Sequence, residues 1–217
     1  MYQILGVQRA LTYFGLLSAA VFAIWAKFDP PSDWTSISAI WKLASGAVTV
    51  AALIVTVFGQ TPLFPLICRL PLIRSWLPPL DGEWKATLES NWPVIQQRAK
   101  PDEPPSPLIV VGAKVTIRAR LFYLRMNLVS DDRYSISKTI FVRPSRDPED
   151  GSVQLHYVYE NSTIHPKATD SGAHCGAASM TVQTDGGGIW LEGTYWTNRN
   201  WHLGMNTAGK ITLRKPA

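Results

Sequence analysis

Cysteine is scarce in this sequence, with only Cys68 and Cys175 among 217 residues. They lie on opposite sides of a Pro-rich stretch and make no disulfide framework, which suits a reducing compartment. Catalytic signatures are missing as well: no nucleophile elbow, no phosphate-binding glycine loop, and no His or Cys spacing suited to a metal. His174 and Cys175 are neighbours, which on a strand sends them to opposite faces, while His156, His165 and His202 are scattered. The chain therefore reads as a non-enzyme without a cofactor. A basic stripe is also lacking. The formal net charge is +5, but residues 1–79 hold 5 Lys and Arg against 2 Asp, leaving 16 basic against 14 acidic residues from 80 onward. That balance argues against a DNA or RNA polymer as partner.

Charge is sparsest in two long runs near the amino terminus. Residues 4–25 carry only Arg9 and residues 37–59 only Lys42. Each run is about 20 residues, the length a helix needs to cross a hydrocarbon core of about 30 Å. Two transmembrane helices follow, with Arg9, Arg69 and Arg74 flanking the outer ends of the hairpin and Lys27 set against Asp29 and Asp33 in the loop between its arms. The excess of basic residues at the outer ends places both termini in the cytoplasm. A cleaved signal peptide fits less well, because the charged leader is thin and the apolar run is too long. Gly15, Ala19 and Ala23 make a shallow stripe on the first helix, and Ser45, Thr49 and Ala52 a similar one on the second. Such stripes serve packing within one hairpin or between copies of the chain.

Prolines at 62, 65, 71, 78 and 79 exclude one continuous helix over residues 60–79, which read as a juxtamembrane connector between the hairpin of residues 1–59 and a domain of residues 80–217. No run beyond residue 80 has a convincing amphipathic helical period. The period instead becomes two. LDGEWKATLES alternates cleanly, with Leu80, Gly82, Trp84, Ala86 and Leu88 on one face. A Pro-rich polar loop, AKPDEPPSP, follows. VTIRARLFYLRMNLVS switches parity near Phe122, which predicts a bulge or two strands, and YSISKTIFV, VQLHYVYEN, HCGAASMTVQ, GIWLEGTYWTN and GKITLR supply five more. SRDPEDGS, TDGGG and GMNTAG are turn chemistry. Without a helical layer the sheet must close on itself or stack on a second sheet. About eight strands predict a small closed antiparallel β-barrel that is either filled or holds one small ligand.

The inward-facing series carry the functional signal. On VQLHYVYEN it runs Val153, Leu155, Tyr157, Tyr159, Asn161, and on LEGTYWTNR it runs Leu191, Gly193, Tyr195, Thr197, Arg199; both begin apolar and end polar. HCGAASMTV, antiparallel to the first, starts with His174. The polar ends then meet at one mouth, where small Gly176, Ala178 and Gly193 leave room. Aromatic faces, amide and hydroxyl groups and one fixed cation suit a flat, anionic, hydrogen-bonding ligand such as a nucleotide. The alternative for Arg199 is a capping role, stacked over an aromatic ring such as Trp84 or Tyr195, with Arg214 a second candidate for it. Stacking two bases at about 1–3 kcal/mol each and an arginine–phosphate bond at about 1.5–3 kcal/mol give less than a nanomolar complex needs, so Ser135, Ser137, backbone donors or self-association must add to it.

Two amino-terminal spans, a Pro-rich connector, then LDGEW, LHYVYEN, HCGAA, LEGTYWTNR and GKITLR in that order resemble the two-transmembrane, β-strand-rich (SMODS-associated) effectors of bacterial CBASS anti-phage systems. The resemblance covers nearly the whole chain. It implies a cytosolic eight-stranded barrel that senses a cyclic dinucleotide made by a partner nucleotidyltransferase, a ligand-induced homo-oligomer, and loss of integrity of the bacterial inner membrane through the helices. The ligand-binding residues expected here are Trp84, Tyr157, Tyr159, Asn161, His174, Tyr195, Thr197 and Arg199. Two other readings stand beside it: a membrane-tethered, lipocalin-like carrier of an apolar small molecule, and an anchor protein whose barrel is filled.

Overall fold

The structure is a computed structural model and describes residues 1–98, 102, 104, 107–166, 171–185 and 188–216. The chain divides into two compact units, one of residues 1–79 with 120–122, the other of residues 80–119 with 123–217.

The first unit is helical. A short α1 (Tyr2–Leu5) ends at Gly6, whose φ of 78° few other residues adopt, and α2 (Val7–Phe28) and α3 (Ile37–Gln60) follow as an antiparallel pair. Both are long and apolar enough to cross a membrane. Their outward faces show why water is the wrong solvent: Val7, Leu11, Leu16, Ile24, Ile37 and Trp41 are all more than half exposed. Leu43, Ala47 and Ala51 of α3 are buried, and the small alanines let the two backbones approach. Gly15, Ala19 and Ala23 are exposed, so the stripe on α2 lies off this interface. In the connecting loop Asp33 accepts hydrogen bonds from the Thr35 hydroxyl at 2.7 Å and amide at 2.8 Å, which hold its carboxyl below the usual range. The Pro-rich connector contains two short helices, α4 (Leu63–Ile67) and α5 (Pro71–Arg74).

The second unit is a closed barrel of eight antiparallel strands in simple up-and-down order: β1 (Gly82–Ser90), β2 (Ile109–Ala119), β3 (Leu124–Ser130), β4 (Ser135–Arg146), β5 (Val153–Thr163), β6 (Ala173–Asp185), β7 (Gly188–Thr197) and β8 (Ala208–Arg214). Pairing of β1 with β8, from Lys85 opposite Arg214 to Ser90 opposite Gly209, removes the sheet's free edges. The long run ending at Ser130 is two strands, and its parity switch marks the turn between them. A register shift between Thr139 and Phe141 places a bulge in β4 at Ile140. One element is new. After β1, Trp92–Gln97 form a six-residue helix, α6, with Pro93 in its first turn. Most of the Pro-rich loop at 99–107, and residues 186 and 187 of the TDGGG turn, fall outside the described residues.

Inward side chains fill one half of the barrel. Trp84, Val115, Ile117, Met126, Leu155, Met180, Leu191 and Leu213 are at most 3% exposed. This apolar plug lies toward the end where β1 begins. There the Trp84 indole donates to the Leu80 carbonyl at 2.9 Å and Asp81 accepts from the Ala119 amide at 2.9 Å. The other end, where β1 ends at Ser90 and β5 at Thr163, is open.

Candidate functional site: the open half of the barrel

Strand register builds the site. Asn161 of β5 lies opposite Ser137 of β4 and His174 of β6, while Tyr159 lies opposite Gly176, which in turn faces Thr197. One step deeper, Tyr157 faces Ala178, which faces Tyr195 of β7. All these residues share the inward parity of their strands, so the ladder converts scattered positions in sequence into one ring of groups.

They surround a cavity of about 250 Å³. Of the eight residues expected from the sequence, seven line it: Tyr157, Tyr159, Asn161, His174, Tyr195, Thr197 and Arg199. Trp84 does not. It is 1% exposed within the apolar plug, with the Lys215 ammonium 5.1 Å from its ring, because it enters near the start of β1 rather than the end.

Tyr157 and Tyr159 stack on each other with centroids 5.0 Å apart, and the Tyr157 hydroxyl donates to the Met126 carbonyl at 3.2 Å. They form a firm floor rather than a loose wall. Burial raises both phenol pKa values, and Tyr195 is shifted the same way by burial, opposed by a hydrogen bond with Ser90. All three phenols therefore stay neutral hydroxyls at physiological pH.

Arg199 lies beyond the end of β7, in the loop before the 3₁₀ turn at Trp201–Leu203, and not on the strand that its alternating pattern suggested. Asn198 fastens that loop to β6: its amide donates to the Cys175 carbonyl at 2.9 Å and its side-chain oxygen accepts from the Cys175 amide at 2.7 Å. The guanidinium reaches the cavity and stacks 4.4 Å from the Trp92 ring of α6. Stacking therefore occurs, over neither Trp84 nor Tyr195. Arg214 stacks over Trp190 instead.

One further expectation needs correction. A Cβ at Gly176 would overlap the Tyr159 ring, and one at Gly193 would overlap the Ser179 carbonyl, so these glycines admit a neighbouring ring and a close backbone rather than a guest. Thr197 lines the cavity while its hydroxyl is engaged with Thr207, receiving its amide hydrogen at 3.1 Å and lying 3.0 Å from its hydroxyl; it ties β7 to the residue that precedes β8.

Asn161 differs from these. Its side chain is 7% exposed, its amide nitrogen donates to the Ser137 hydroxyl at 2.9 Å, and its side-chain oxygen has no hydrogen-bond partner. Buried carbonyl oxygens are nearly always paired. Sequence reasoning passed over Ser90, Ser130, Asp132, Tyr134, Thr163 and Thr207, which also line the cavity. Ser90 and Thr163 continue the inward parity of their strands and were within reach of the same argument, whereas Asp132 and Tyr134 sit in a turn and carry no periodic signal. One oxygen of the Asp132 carboxylate accepts from the Ser130 hydroxyl at 2.6 Å and the Tyr134 amide at 2.9 Å, and the residue remains part of the lining. No group of His, Cys, Asp and Glu suited to a metal occurs among the described residues.

No family model matches the sequence. The chain is 29% identical over 178 residues to a protein of Escherichia albertii named CD-NTase-associated protein 15, an alignment covering 81% of each chain.

Proposed function

We propose, for a chain whose two apolar helices and closed eight-stranded barrel fit the two-transmembrane, β-strand-rich effector family of CBASS, that the open half of the barrel binds a cyclic dinucleotide and the helix hairpin carries the response. The similarity to a CD-NTase-associated protein supports a role in anti-phage defence, and the two long apolar helices support association with a membrane.

The observation that carries the ligand reading is the cavity itself. Among the described residues it is lined by the rings of Tyr157, Tyr159 and Tyr195, by hydroxyl and amide groups, by the His174 imidazole, and by one guanidinium, Arg199, and one carboxylate, Asp132. Neutral phenols and an amide suit bases and sugars, and Arg199, preorganised by its stack on Trp92, suits a phosphodiester. An apolar guest would leave the Asn161 oxygen buried and unpaired, at a cost of about 1–3 kcal/mol, which disfavours a lipid carrier.

Size supports the next step. Pockets that engulf a whole drug-sized ligand span about 300–1,000 Å³, and this one is smaller at about 250 Å³. A two-nucleotide ring would then be held in part, with the remainder at the mouth and open to a second copy of the chain. Joining barrels through shared ligand raises the local concentration of the attached hairpins. The exposed Gly15, Ala19 and Ala23 stripe is then free to pack between copies in the inner membrane. No covalent step is required.

The test is made in bacterial cells that produce the chain with or without a nucleotidyltransferase making a cyclic dinucleotide. Membrane potential collapses only when both are present, and Arg199→Ala prevents the collapse. Collapse without the nucleotide signal, or equal collapse with Arg199→Ala, contradicts the reading.

A further inference from the structure

Among the groups lining the cavity, the Asn161–Ser137 pair has hydrogen-bonding capacity left over. Both residues are more than nine-tenths buried, at 7% and 4% exposure, and both face the cavity. One hydrogen bond of 2.9 Å joins them. With the amide nitrogen donating to the serine, the pair presents a free carbonyl oxygen and a free hydroxyl proton. With the amide turned over, it presents a free N–H and a free serine oxygen. In either arrangement the pair offers at least one donor and one acceptor side by side.

That combination selects its guest by chemistry. A phosphodiester oxygen only accepts, and would leave the acceptor of the pair unsatisfied in a buried place. A nucleobase presents both kinds of group along its Watson–Crick edge, in one plane. Tyr159, two residues earlier on the same face of β5, supplies a ring beside that edge. Arg199, which lines the cavity and stacks on Trp92, carries the charge that suits the phosphate.

We infer that Asn161 and Ser137 read the Watson–Crick edge of one base of the ligand, and that the barrel takes a cyclic dinucleotide base-first. This rests on the ligand reading above and adds to it an orientation and a specificity-determining pair. It does not choose among the bases, since each carries a donor and an acceptor on that edge.

The experiment uses the full chain in lipid nanodiscs and titration calorimetry. A panel of cyclic dinucleotides carrying each of the four bases identifies a binder. The same compound is then made with both Watson–Crick edges blocked by N-methylation, and separately with 2′-deoxyribose. Blocking the edge weakens binding to the unaltered protein by roughly tenfold to a hundredfold, the effect of leaving one buried polar group unpaired. In Asn161→Ala and in Ser137→Ala the penalty for blocking shrinks to less than about threefold, because the partner is gone. Melting curves establish that each variant is folded, and two variants guard against loss of one.

An unchanged penalty in both variants, or no penalty in the unaltered protein, overturns the inference and leaves the ligand reading standing. Loss with the deoxy compound and none with the methylated one assigns the pair to ribose and overturns it too. Failure of every cyclic dinucleotide to bind overturns both readings together.

Discussion

Asn161, Gly176 and Arg199 show how far alternation along a strand carries an argument. Inward parity located Tyr157, Tyr159, Asn161, His174, Tyr195 and Thr197, because a period of two leaves only two faces and the apolar end identifies the inner one. Parity says nothing about which hydroxyls are already engaged, so the Thr197–Thr207 tie and the orphan Asn161 oxygen needed coordinates. It also misjudged empty space: Gly176 makes room for Tyr159, and Gly176→Ala should displace that ring. The expected loss is about 1–3 kcal/mol, or roughly 3–10 °C in a thermal melt, with weaker ligand binding in the same variant. The buried phenols make a second prediction. Their pKa values are raised above the ordinary 10.0 by burial, so the folded barrel holds these protons to higher pH than the unfolded chain. The associated stability is whole below pH 10 and is lost as pH rises through the raised values. Circular dichroism melts should therefore fall above about pH 10, and a barrel with Tyr157→Phe and Tyr159→Phe should fall less.

Both long helices were legible because an apolar run of about 20 residues has few other uses. The strands were legible too, since each run of alternation is bounded by Gly, Pro, Asn or Asp, and the parity switch near Phe122 fell at a real turn. The helix at Trp92–Gln97 was not. Six residues are too few to show a 3.6-residue period and too few to hold a helix without tertiary support. Arg199 gives that support on one side, through its stack on Trp92, so the cavity's cation and the helix are positioned together. Trp92→Ala should leave the barrel folded yet weaken ligand binding several-fold, and calorimetry beside a melting curve separates the two effects. In the hairpin, Ala51 is 0% exposed against its neighbour, so Ala51→Leu should force α2 and α3 apart. Cysteines introduced on facing positions of the two helices should cross-link in membranes with lower yield when this change is present, whereas Gly15→Leu, on the exposed stripe, should leave that yield unchanged.

The second unit is a closed sheet, and closure is what gathers its inward polar groups. An open sheet would spread Asn161, Tyr195 and Arg199 along a surface. Wrapping eight strands so that β1 meets β8 brings them around one space, with the apolar plug filling the half nearer the start of β1. Composition pointed to this closure, because nothing after residue 80 offered a layer to cover the sheet. Whether the interior was filled was not legible, since the same inward rings suit a packed core and a lined cavity; the structure shows Tyr157 and Tyr159 stacked on each other and lining a cavity of about 250 Å³. The account therefore rests on that space accepting a guest. Titration calorimetry of the full chain in nanodiscs against a panel of cyclic dinucleotides tests it most directly: saturable binding of at least one compound, lost or weakened at least tenfold in an Arg199→Ala variant that melting curves show to be folded, is the result expected, and heat-silent titrations across the whole panel, or affinity indifferent to that change, would contradict it.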